Sequence, residues 1–193
     1  MKDLSPLDTE INNAIAVLKN GGLILYPTDT IWGLGCDATN ENAVTRLLEL
    51  KNRTTEKGLI TLLDNEGKLA SFVREVPALA YDLIEFSENP LTLILDGAYH
   101  LAPSVITNDG AAGFRITKDE FCKRIIWKLR KPIVSTLANI SGQPHPQCFS
   151  DISPAILNGV DYIVNLRRNE KSTATPSKVI RLNSNGEIKL LRS

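Results

Sequence analysis

Five short apolar runs recur along the chain with the same length and the same polar boundaries: LITLL (59–63), LTLIL (91–95), AGFRI (112–116), IVSTL (133–137) and KVIRL (178–182). Runs this short are marginal as helices, and most are rich in β-branched residues, so each reads as a strand. LILYP (23–27), DYIVNL (161–166) and IKLL (188–191) extend the set. Between them lie stretches with helical spacing. Ile11, Ala14, Ile15 and Leu18 form one stripe over 8–20, stopped by Gly21-Gly22. Asn40 can cap a helix that buries Ala43, Val44, Leu47, Leu48 and Leu50, and Pro77 opens another, PALAYDLIEF. Two more fit 118–129 and 151–157. This alternation predicts an α/β fold, a twisted mixed parallel and antiparallel sheet with flanking helices. The closing hairpin around NSNG argues against an all-parallel sheet. TDTIWGLGCDATN (28–40), punctuated by Gly33 and Gly35, reads as a loop or irregular strand leaving the sheet, and RRNEKSTATPS (167–177) as a mobile loop.

A chain of 193 residues with 42% hydrophobic content can bury a sizeable core, and one domain spanning 1–193 is expected. Its 22 basic and 22 acidic residues cancel, so no global field draws it to nucleic acid or an anionic membrane. Any cationic site must be local. Cys36, Cys122 and Cys148 are odd in number and lack close ligand spacing. They fit buried thiols in a reducing compartment better than a disulfide framework or a zinc site. The N-terminus MKDLSPLDTE has no apolar signal core, and no apolar run approaches the roughly 18 residues that span a bilayer. A cytoplasmic location with no membrane contact is expected.

Three polar segments sit at strand ends, where open α/β sheets bind ligands. In LKNRTTEK, Lys51 and Arg53 fall at a helix end, where cations compensate the backbone dipole. That accounts less well for Lys57, which follows in the turn. Three cations at a strand entrance also suit a triphosphate or carboxylate. No G-x-x-x-x-G-K-[ST] sequence is present, which excludes an ordinary P-loop. Thr28, Asp29 and Thr30 fit either a turn or a ligand site, as do Asn139, Ser141 and Gly142. Arg115 stands in an otherwise apolar strand, where a charge must be paired or face an open site. His100 and His145 have no partners at metal-ligand spacing, and no G-x-S-x-G elbow supports a hydrolase. Trp32 and Trp127 belong to no aromatic-basic repeat and read as core or pocket-wall residues.

Taken together, GGLILYPTDTIWGLGCDAT, LLELKNR, PLTLIL, AGFRI and ANISGQP resemble the YrdC/TsaC family of threonylcarbamoyl-AMP synthases, in family order and over nearly the whole chain. The resemblance implies a compact one-domain form with an open, largely positive concave site. It implies that L-threonine, bicarbonate and ATP become threonylcarbamoyl-AMP and pyrophosphate. A separate threonylcarbamoyl transferase would then act on an adenosine of tRNA beside the anticodon, and direct RNA contact is a further expectation. By resemblance Lys51 and Arg53 neutralise the phosphates, with Lys57 beside them. Thr30, Arg115, Ser135 and Ser177 hold threonine, and Asn139 and Arg192 face the nucleotide. Magnesium accompanies ATP on its phosphates rather than in a carboxylate cage. Leu137 stands where the family reads serine, which permits an alternative: a YrdC-like RNA- or nucleotide-binding protein with weak or no synthase activity.

Overall fold

The computed structural model describes residues 4–53, 59–171 and 175–192. Helices α1 (Pro6–Lys19), α2 (Glu41–Leu50), α3 (Ala78–Glu85), α4 (Glu120–Leu129) and α5 (Pro154–Gly159) alternate with strands. These are β1 (Ile24–Tyr26), β2 (Gly33–Asp37), β3 (Ile60–Leu63), β4 (Leu91–Leu95), β5 (Ala112–Ile116), β6 (Ile133–Leu137), β7 (Tyr162–Ile163), β8 (Lys178–Leu182) and β9 (Ile188–Arg192). Caps set the helix starts. Side chains of Ser5, Asn40 and Asp119 accept from the backbone N–H groups of Asp8, Ala43 and Cys122, satisfying donors that the first turn leaves open. No helix among the described residues is long and apolar enough to cross a membrane.

Among the described residues the strands form one sheet in the order β7-β1-β2-β6-β3-β5-β4-β8-β9. The pairs β1/β7, β3/β5 and β4/β8 are parallel and the others antiparallel, as the mixed reading requires. Because side chains alternate across a pleat, the sheet can carry a core on each face. On one face α1 and α4 bring Ile11, Ile15, Phe121 and Ile125 onto Ile24, Tyr26, Leu62 and Ile133. On the other, α2 packs with Leu25, Leu34, Leu63, Leu93 and Phe114. No residue of β4, β5, β8 or β9 joins the cluster under α1 and α4, so that face of the sheet is only partly covered.

Four sequence expectations shift. The segment 28–40 does not leave the sheet: β2 lies between β1 and β6, buried along its whole length. Leu34 and Cys36 point into one core, while Gly33 and Gly35 occupy alternate positions where larger neighbours need room. DYIVNL pairs only at Tyr162–Ile163, and 151–157 divides into a 3-10 turn at Phe149–Asp151 and α5, which Pro154 opens. Cys36 and Cys122 are buried free thiols, but Cys148 is only half-buried. Of the predicted mobile loop, residues 172–174 lie outside the described residues.

Lys51, the C-cap of α2, ties that helix to the turn after β6. Its Nζ donates to Leu137 O and Asn139 O, both at 2.5 Å, and to Asn139 Oδ1 at 3.2 Å, while its own carbonyl accepts from Ser141 N. The residue is 1% exposed. Burial, followed by the neighbouring Arg53 charge, brings its pKa down from 10.5 to about 7.

Two outcomes follow from this packing. A Cβ on Gly35 would stand 2.6 Å from Val134 O and 2.8 Å from Tyr26 Cε1. Gly35→Ala is therefore expected to lower stability by about 1–3 kcal/mol in urea unfolding, and an unchanged midpoint would contradict the close approach. Between about pH 7 and 10.5 the folded Lys51 binds fewer protons than the unfolded one. Its contribution to stability therefore rises with pH across that window and is flat below it, with a slope of at most about 1.4 kcal/mol per pH unit. Lys51→Met should remove this rise; identical stability slopes in both proteins would sink the assignment.

Candidate active site

The uncovered part of the sheet face forms the floor of a cavity of about 200 Å³. Its lining follows the pleat. Thr92 and Ile94 of β4, Gly113 and Arg115 of β5, and Ser135 and Leu137 of β6 are each two residues apart and face the same way. Register brings them side by side, since Ile60 pairs with both Gly113 and Ser135, Ile94 with Gly113, and Thr92 with Val179. Gly113 has a structural reason as well: a Cβ there would come within 3.3 Å of Leu59 O. Trp32, packed against Phe149 with ring centroids 5.1 Å apart and planes tilted by 54°, forms part of the wall.

Cations and hydroxyls dominate the polar lining. Arg53, Arg115 and Arg192 all reach the cavity, and none of the described residues lining it is Asp or Glu. Arg115 is 4% exposed, and its Nη1 donates to Thr30 Oγ1 at 3.2 Å and lies 3.3 Å from Asp29 Oδ1. Its Nε is buried without a hydrogen-bond partner. Arg192 donates from Nε and Nη2 to Ser177 O at 2.9 and 2.7 Å, and Ser177 Oγ shares a 2.8 Å hydrogen bond with Thr92 Oγ1. Burial, then the Arg115 charge, lowers the Arg192 pKa, while burial lowers that of Arg53. The cavity thus concentrates like charge that an anion would neutralise.

The turn at 28–30 is held from several sides. Thr28 Oγ1 donates to Ile31 O and accepts from Thr30 N; Lys118 N donates to Asp29 Oδ2. Arg167 spans the back of this turn, donating from Nη1 to Thr28 O at 3.3 Å and from Nη2 to Asp119 Oδ2 at 2.6 Å. Asp29 does not line the cavity but stands behind Arg115.

Of the residues expected at a site, Thr30, Arg53, Arg115, Ser135, Ser177 and Arg192 line this one cavity. Lys51 and Asn139 do not. The Lys51 ammonium is taken up by Leu137 O and the Asn139 oxygens, and the half-buried Asn139 side chain accepts from Lys51 and donates from Nδ2 to Gln143 O at 2.6 Å. Lys57 lies outside the described residues. Leu137 lines the cavity, and Arg53 Nη1 lies 3.4 Å from the hydroxyl of the adjacent Thr136. Sequence reasoning missed Thr92 and Arg167. A hydroxyl two residues before Ile94 on the open side of β4 was the available signal for the first; nothing local marks the second.

The family model for Sua5, YciO and YrdC, described as "Telomere recombination", matches residues 16–193. The threonylcarbamoyl-AMP synthase of Xanthomonas oryzae pv. oryzae is 36% identical over 159 residues, covering 80% of this chain and 84% of that protein. That of Pseudoalteromonas translucida is 38% identical over 133 residues, covering 67% and 71%. Among solved structures, P. abyssi Sua5 complexed with L-threonine superposes with a TM-score of 0.82 at 27% identity, over 94% of this chain and 52% of that one. The chain therefore spans about half the length of Sua5. The fold of E. coli YciO matches with a TM-score of 0.84 at 21% identity, over 99% and 91%. The chain belongs to the Sua5/YciO/YrdC family.

Proposed function

We propose that this chain is a threonylcarbamoyl-AMP synthase, joining L-threonine, bicarbonate and ATP with release of pyrophosphate. The observation that carries the reading is the convergence of Arg53, Arg115 and Arg192 on a hydroxyl-lined cavity whose described wall holds no carboxylate. Two anionic groups must be brought together in this reaction, a carboxylate and a polyphosphate, and guanidinium forks bind both. The unpartnered Arg115 Nε gives the threonine carboxylate a natural place, beside the hydroxyls of Thr30 and Ser135. Arg53 and Arg192 are left for phosphate oxygens. A cavity of about 200 Å³ suits an amino acid with a phosphate group, so the nucleoside extends beyond its enclosed part.

The chemistry then needs little proton transfer from side chains. The threonine amine attacks the bicarbonate carbon and water leaves, giving a carbamate. A carbamate oxygen attacks the α-phosphorus, the bond to the bridging oxygen breaks, and pyrophosphate departs with the electron pair. Fixed cations that neutralise the phosphates lower this barrier through positioning and electrostatics. Lys51 contributes by fixing the turn after β6, a positioning role. Magnesium is proposed to enter on the ATP phosphates, since no group of three or more His, Cys, Asp or Glu side chains suited to a metal gathers among the described residues. Transfer of the activated carbamate to tRNA by a separate protein completes the proposal.

The test is threonine-dependent pyrophosphate release from ATP in the presence of bicarbonate. Arg115→Lys, which keeps the charge but loses the fork, is expected to raise the KM for threonine about tenfold or more while changing that for ATP little. RNA or nucleotide binding without threonine-dependent release would instead favour the binding-protein alternative.

A further inference from the structure

Arg167 adopts φ 53°, a left-handed conformation that glycine reaches without steric cost and that a residue with a Cβ disfavours. The turn it makes, closed by Glu170 N donating to Arg167 O at 3.2 Å, carries the guanidinium across the back of the 28–30 turn. Nη2 binds Asp119 Oδ2 at 2.6 Å, and the Asp119 side chain, 8% exposed, is itself fixed, because its Oδ1 caps α4 by accepting from Cys122 N at 2.9 Å. Nη1 takes hold of Thr28 O. From Thr28 the contacts run inward. The Thr28 hydroxyl gives its one proton to Ile31 O, which leaves the Thr30 hydroxyl to donate in the 2.9 Å bond between them. Thr30 Oγ1 in turn accepts from Arg115 Nη1. A series of contacts thus joins the α4 cap to the arginine on the cavity floor, and its two outermost members, Arg167 and Asp119, do not line the cavity.

We propose that Arg167 is a positioning residue for the amino-acid half of the site: paired with Asp119, it holds the 28–30 turn where Thr30 and Arg115 meet the threonine carboxylate. The inference rests on the synthase reading, and it separates the two substrates, since the series ends at Arg115 on the threonine side. A clamp that only kept the 167–170 turn folded would affect both substrates alike.

Pyrophosphate release at varied threonine and ATP, together with calorimetric titration of threonine into the full chain, is the test. Arg167→Ala is expected to raise the KM and Kd for threonine about fivefold or more and to leave the KM for ATP within about twofold, because small displacements of a positioning group are costly. Arg167→Lys, which reaches one partner instead of two, should fall between. Asp119→Asn keeps the Oδ1 cap on α4 and removes the charge facing Arg167. It should weaken threonine binding too, and the double variant should be no worse than Arg167→Ala alone. Arg46→Ala, which breaks an ion pair with Asp161 away from the cavity, should change neither substrate. Wild-type threonine affinity in Arg167→Ala and Asp119→Asn, or KM values for both substrates that rise together, would overturn the proposal; if Arg167→Ala does not fold, Asp119→Asn alone decides. Threonine binding without pyrophosphate release by the wild-type chain would refute the synthase reading and leave the Kd ratios to decide the role of Arg167. No threonine binding by the wild type overturns both.

Discussion

One face of this sheet is wider than the helices that lie on it. α1 and α4 seal the side of β1, β3 and β6, while β4, β5 and β8 receive no helix there. The opposite face is covered by the larger core from β1 to β8, leaving the edge strand β9 exposed. A half-covered pleat cannot be uniformly apolar, because an open row of aliphatic side chains would invite association. Alternation resolves this: Phe114 and Leu93 enter the closed core, while Arg115, Thr92 and Ser135, at positions of opposite parity, form the open floor. The site is the sheet's uncovered face, and its residue types follow from that.

The electrostatics follow the same logic. Three guanidiniums crowd a small cavity, and Asp29, the carboxylate paired with Arg115, does not line the wall. Such an arrangement works against stability without a ligand and favours anions when they arrive, a compromise common at functional sites. Lys51 is a cation of a different kind. Its three contacts are to oxygens of Leu137, at the end of β6, and Asn139, in the turn that follows, so its charge holds α2 to this part of the rim.

Most strands were legible because a five-residue apolar run bounded by polar residues is a local signal. β2 was not, since Gly33 and Gly35 leave every second position without a side chain to show the pattern. Arg115 announced itself as a charge in an apolar strand, and the structure places it on the cavity floor. The Lys51 contacts escaped because its acceptors are mostly main-chain carbonyls more than eighty positions away, and a carbonyl carries no residue identity. The exposure of Trp127 could have been read: it stands off the helical stripe that Phe121, Ile125 and Leu129 define.

The cavity wall runs in sequence from Thr28 to Arg192, and Arg192 comes from β9, which touches the rest of the sheet only through β8. Closing such a ring requires pairings of very high sequence separation, which form late and slowly in folding. A partly folded chain that has not docked the last hairpin therefore lacks one of the cavity's three guanidiniums. On the proposed assignment of Arg192 to the phosphates, ligand occupancy favours the docked hairpin by mass action, and the reactants act as a brace on the sheet's outer edge.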